Sequence, residues 1–151
     1  MDKRTLKTKI TDLFINKEDD GTYNLFGKYV ISPKDNSIYT VQMQGEPELF
    51  VFSSLRNAVT YCVFDNNNKQ KEVQRIIELD ELICSLDFII QQHSRLLKKS
   101  DNENKNIYSA KVVEDKFKKK MAMRELEGYI NFSRFLQSKK FNENQLKTCS
   151  N

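Results

Sequence analysis

Tryptophan is absent from this chain, histidine occurs once, and its 151 residues include only 4 glycines, 2 prolines and 3 cysteines. Each shortage excludes a kind of chemistry. A single histidine, His93, allows no histidine cluster, no His-x-x-x-His pair and none of the paired Glu-x-x-His motifs of di-iron bundles. Gly21, Gly27, Gly45 and Gly128 stand too far apart for a Walker loop or a dinucleotide fingerprint. Cys62, Cys84 and Cys149 form no Cys-x-x-Cys and are odd in number. Free thiols are the expectation, with Cys62 and Cys84 as small buried hydrophobes. No apolar run approaches the roughly 20 residues that span a bilayer. Met1-Asp2-Lys3-Arg4 has no apolar stretch behind it, Asp2 stands where myristoylation needs glycine, and Cys149-Ser150-Asn151 is no prenylation box. These absences lead us to expect no enzyme, no cofactor, no metal, no small-molecule ligand and no membrane contact. A cytoplasmic location is expected, that of the host if the protein is viral.

What the chain does have is charge. Charged residues make up 30% of it against 38% hydrophobic, enough apolar residues for a core and too many for a disordered chain. The net charge is only +4, but it is unevenly spread. Between Arg95 and Lys120 nine basic residues stand against four acidic ones, so the remainder of the chain is close to neutral.

Hydrophobic spacing divides the chain into four parts. Within residues 1–20, Leu6, Ile10, Leu13 and Phe14 recur at helical spacing and predict a short docking helix. Residues 21–68 read as three strands and a helix. The strands fall at 23–32, at 38–43 with Tyr39, Val41 and Met43 on one face, and at 49–52. Pro33-Lys34-Asp35-Asn36 and Gly45-Glu46-Pro47 supply the turns. Ser53 or Ser54 then caps a helix whose inner face is Leu55, Ala58, Val59 and Cys62. Residues 69–141 predict a long helical hairpin, broken once over residues 100–106, and 142–151 a frayed tail. The first helix carries a heptad seam through Ile76, Leu79, Ile83, Leu86, Ile90, His93 and Leu97. The expected fold class is therefore α+β: a three-stranded antiparallel β-meander with one helix, followed by a long antiparallel helical hairpin.

The second helix of the hairpin is apolar on two faces. One face holds Ile107, Ala110, Val113, Phe117, Met121, Gly128, Phe132 and Phe135; the other holds Tyr108, Val112, Met123, Leu126 and Ile130. A helix apolar on two sides is covered on two sides, and its sister helix covers only one. The face left over must meet the strand-rich part, the N-terminal helix or another subunit, and the leading expectation is that Tyr108, Val112, Met123, Leu126 and Ile130 form a homo-oligomer interface. His93, on the seam, is read as a structural residue, so that His93→Leu should be neutral or stabilising.

The basic stretch has two readings. Arg95, Lys98, Lys99, Lys111, Lys116, Lys118, Lys119 and Lys120 could contact nucleic-acid phosphates without regard to sequence. Alternatively, an antiparallel hairpin sets Asp87 opposite Lys119, with Asp80 and Glu81 a turn or two beyond, and the lysines are matched inside the chain. Charge matching is the weightier of the two, and Arg124, beside the Phe117/Met121 stripe, is expected to reach a carboxylate.

The strand-rich part resembles in layout the arm-binding domains of phage integrases, but its strands offer Lys28, Tyr39, Thr40, Gln42 and Gln44 where those sheets carry basic residues. The stretches Phe52-Ser53-Ser54-Leu55-Arg56-Asn57-Ala58-Val59-Thr60-Tyr61-Cys62, Glu78-Leu79-Asp80 and Met123-Arg124-Glu125-Leu126-Glu127-Gly128-Tyr129-Ile130-Asn131 resemble small uncharacterised proteins of large tailed marine phages. That resemblance implies a viral origin and brings no activity or functional residue with it. The leading expectation is a non-enzymatic assembly protein that self-associates through its hairpin, with a basic flank open to nucleic acid. The alternative is a regulatory or host-directed protein whose Tyr- and Phe-rich sheet docks one specific host or phage protein, without nucleic acid.

Overall fold

The computed structural model describes residues 16–149. The helix expected within residues 1–20 falls before Asn16, outside the described residues. The fold is α+β. Five strands, β1 (Asn16–Lys17), β2 (Tyr23–Leu25), β3 (Tyr29–Lys34), β4 (Ile38–Met43) and β5 (Leu49–Phe52), form one antiparallel meander in chain order. Three helices follow: α1 (Leu55–Asn66), α2 (Gln70–Lys99) and α3 (Asn102–Cys149).

The chain forms two compact units. One contains the sheet, α1, and the portions of α2 and α3 up to Ile77 and from Tyr129 onward; the other is the stretch Glu78–Gly128. The division falls inside two helices and not in the loop near residue 69.

The sheet has more strands than the sequence suggests, for a local reason. The stretch 23–32 is a tight hairpin, with Leu25 paired to Tyr29. The Lys28 N–H donates to the Leu25 carbonyl at 3.0 Å, and the two residues between, Phe26 and Gly27, have φ of 57° and 64°. Positive φ at both central positions is what a type I′ turn demands, and it suits strand twist. Glycine adopts it freely; a phenylalanine there is strained. The Asn-Gly or Asp-Gly that marks such turns is missing, so the pattern alone gives one strand.

The core of the first unit is built by alternation. Leu25, Tyr29, Ile31, Val41 and Phe52 are buried on one sheet face, while Lys28, Gln42 and Val51 point outward. Against that face lies α1. Ser54 caps it, its Oγ accepting the Asn57 N–H at 3.1 Å. Asn68, at φ 59°, ends it: the Asn68 and Lys69 N–H groups return to the carbonyls of Asp65 and Phe64. That is the Schellman pattern, with asparagine in the left-handed position. Every residue from Asn57 to Phe64 is buried. A helix buried all round is covered on both sides. The sheet covers one side of α1. On the other, Phe64 meets Tyr129 and Phe132 at ring distances of 5.6 and 5.8 Å.

Tyr29 ties sheet to helix. Its hydroxyl donates to the Asp65 carboxylate at 2.5 Å. Burial, and next the hydrogen bond to Asp65, raise its phenol far above the ordinary tyrosine range. Burial, and next the charge of Asp65, raise Tyr61 in the same direction. Both groups therefore stay neutral in the fold at a pH where unfolded tyrosines, near 10, ionise. Their contribution is fully present below about pH 10 and is lost as pH rises toward the folded values. Tyr29→Phe is expected to lower stability by about 1–2 kcal/mol at pH 7, and to flatten the decline between pH 9.5 and 11.5. Urea titrations across that range check it; an unchanged alkaline slope would show that Tyr29 does not drive the decline.

Where the sequence predicts a tail fraying from residue 142, α3 continues to Cys149. No glycine or proline after Gly128 interrupts it.

Candidate functional site

The second unit, Glu78–Gly128, is a helical hairpin. Its turn is shorter than the polar run suggests, because most of that run is helix. Ser100 closes α2, its hydroxyl donating to the Leu97 carbonyl at 2.9 Å. Asp101 opens α3, its Oδ1 accepting the Asn104 N–H at 3.0 Å. Aspartate followed by Asn-Glu-Asn makes a capped, solvated first turn, which from composition alone looks like a loop.

Two polar contacts fix how the helices face each other. The Nδ1 of His93 lies 2.6 Å from the Oδ2 of Asp115. The Nζ of Lys119 lies 2.5 Å from the Oδ1 of Asp87, the partner expected from the register. Asp115 and Lys119 thus mark the inner face of α3. Val112, Ala122 and Leu126 share that face and are buried, and Tyr108 is half-buried.

This corrects the expected oligomer interface. Val112, Leu126 and Ile130 are 8%, 5% and 7% exposed and belong to the chain's own interior. Of the five residues assigned to that interface only Met123 is exposed. The other apolar face of α3 points outward: Ile107, Val113, Phe117 and Met121 are all exposed, Val113 by 66% and Phe117 by 62%. Periodicity reveals two faces but not which one turns inward. Asp115 is the signal that decides it, since it lies on the Val112 face in register with His93. On α2, Leu82, Ile89 and Leu96 are exposed at seven-residue spacing, as is Phe88. Cys84, expected to be buried, is exposed, whereas Cys62 is buried as expected.

The basic residues divide. Lys116, Lys119, Lys120 and Arg124 line one open groove of 530 Å³, and Asp87 and Glu127 share it. Lys119 is engaged by Asp87, and Lys118 pairs with Glu114 at 3.0 Å along its own helix. Lys111 lies over the Tyr108 ring at 5.7 Å. Arg95, Lys98 and Lys99 are exposed on the last turns of α2 and do not line the groove. Asp80, expected opposite the lysines, is buried. The groove is a mixed-charge surface with a modest cationic excess.

Of the sheet aromatics, Tyr29 and Phe52 are buried, Tyr23, Tyr39 and Phe50 are half-buried, and Phe26 is exposed. The outward face of edge strand β5 presents Leu49 and Val51. Among the described residues, no group of three or more His, Cys, Asp or Glu side chains could hold a metal ion, and no helix is long and apolar enough to cross a membrane. Compared with known proteins, the chain matches no family model, no curated protein and no solved structure.

Proposed function

We propose that this protein is a non-enzymatic assembly protein that self-associates through the outer face of α3. One observation carries the reading: Val113, Phe117 and Met121, large and apolar, occupy one face of a helix whose opposite face is already packed, and are 66%, 62% and 48% exposed. A single exposed apolar side chain is ordinary, whereas a row of them marks an interaction surface. The lysines support the reading less than the stripe does, because Lys118 and Lys119 have carboxylate partners in the chain.

The test is solution mass. Light scattering at high micromolar concentration should give a multiple of the 17.8 kDa chain mass. The double variant Val113→Glu/Phe117→Glu should give the monomer mass with unchanged helicity, since both positions are solvent-facing in the single chain. A monomeric wild type, or a charged variant that assembles as well as wild type, would end the proposal.

A further inference from the structure

We infer that two copies of this chain pair through α3, antiparallel about a two-fold axis, in the register that sets Phe117 of each copy against Gly128 of the other. The inference deepens the self-association reading and rests on it.

The first argument is spacing. Small or apolar residues, with one arginine, follow one face of α3 at Ala110, Val113, Phe117, Met121, Arg124, Gly128, Phe132 and Phe135. The steps are three, four, four, three, four, four, three. An eleven-residue period stays on one face of a nearly straight helix. The series also reads the same from either end. A reversed copy centred between Met121 and Arg124 therefore places each position of the row against another position of the row. Isologous pairing needs this self-matching, and a second copy has it by identity.

The second argument is size. In that register Phe117 meets Gly128 and Phe135 meets Ala110, so a large ring of one copy falls on a small residue of the other; Phe132, opposite Val113, keeps its own packing on Phe64. Gly128 is otherwise unexplained. It is exposed in the interior of a 48-residue helix, its φ is not positive, and a Cβ built on it meets nothing within 4 Å. Glycine is unfavourable in a helix interior, and the single chain has no steric use for one here. A phenylalanine ring arriving from a second copy supplies the use.

The third argument is charge. On one flank of the row the register brings Lys118 near Glu125 of the second copy, and on the other Lys120 near Glu127, offset along the axis by about 3 Å in each case. Lys118 keeps its own-chain partner Glu114 and gains a second carboxylate. Two-fold symmetry doubles both pairs. Arg124, the one cation drawn toward the axis, packs its stem beside Met121 and has Glu127 one turn further along its own helix.

Sedimentation equilibrium on the full chain tests the register with three proteins: wild type, Gly128→Phe, and Phe117→Ala/Gly128→Phe. Gly128→Phe should raise the dimer dissociation constant about tenfold or more, the scale of an overpacked contact. Its helicity by circular dichroism should not fall, because phenylalanine is the better helix former. The double variant again opposes a large residue with a small one and should recover most of the lost affinity. A wild type that stays monomeric overturns both the register and the assembly proposal. A dimer indifferent to Gly128→Phe leaves self-association standing and overturns the register. Failure of the double variant to recover overturns it as well.

Discussion

Phe64→Ala is expected to cost about 3–5 kcal/mol, a large part of the stability of a domain this size. Phe64 is 1% exposed in the last turn of α1. Its ring stands edge-on to Tyr129 and tilted to Phe132, and it joins the helix on the sheet to the far part of α3. Truncation removes the transfer free energy of the ring and leaves a cavity that neither helix can readily close. Its carbonyl also accepts the Asn67 and Lys69 N–H groups that end α1, so the backbone there is held and cannot follow a collapsing side chain. Phe117→Ala is the matched comparison. That ring is 62% exposed, and its loss should change the stability of the single chain by less than about 0.5 kcal/mol while weakening assembly. Urea denaturation at low protein concentration separates the two. A cost below about 1 kcal/mol for Phe64→Ala would mean that the first unit is not held together at this point.

Much of the fold can be read in the sequence because it rests on strong local signals. Alternation places Val41 inward, Ser54 caps its helix, Asn68 ends it, and the heptad row from Ile76 to Leu97 defines α2. The antiparallel register is also readable, since Asp87 and Lys119 meet where helix rise places them. The misses share a physical cause. A Phe-Gly turn lacks the usual marker because its strain is tolerated by surrounding structure and not avoided by residue choice. The run from Asp101 to Asn106 looks like a loop because solvated first turns and loops have the same composition. The inward face of α3 is not legible from periodicity, because both faces carry large apolar residues, Leu126 and Ile130 on one and Phe117 and Met121 on the other. Burial was decided by which face could lie beside α2 and pair with His93. The candidate site follows from that choice: the face that carries Val113, Phe117 and Met121 is left outside.

His93→Leu, which periodicity alone marks as neutral or stabilising, is instead expected to destabilise the hairpin by about 1–3 kcal/mol. The substitution fills a seam position with a residue the seam favours. It also removes the imidazole partner of a carboxylate whose side chain is 12% exposed. Asp115 cannot easily reach water from the inner face of α3, so its oxygen would lie against leucine with its desolvation uncompensated. Breaking a buried polar pair from one side costs more than the pair contributes, whereas replacing both members with apolar groups is often neutral or better. His93→Leu/Asp115→Leu is therefore expected to recover most of the loss, and Asp115→Leu alone to be intermediate, because His93 is the more exposed partner at 23% and can turn to solvent. Urea denaturation of the four proteins closes the cycle. A coupling above about 1 kcal/mol confirms that the two side chains act as one buried unit. Simple additivity, or a single His93→Leu variant as stable as wild type, would show that the inward face of α3 is set by apolar packing and not by this pair.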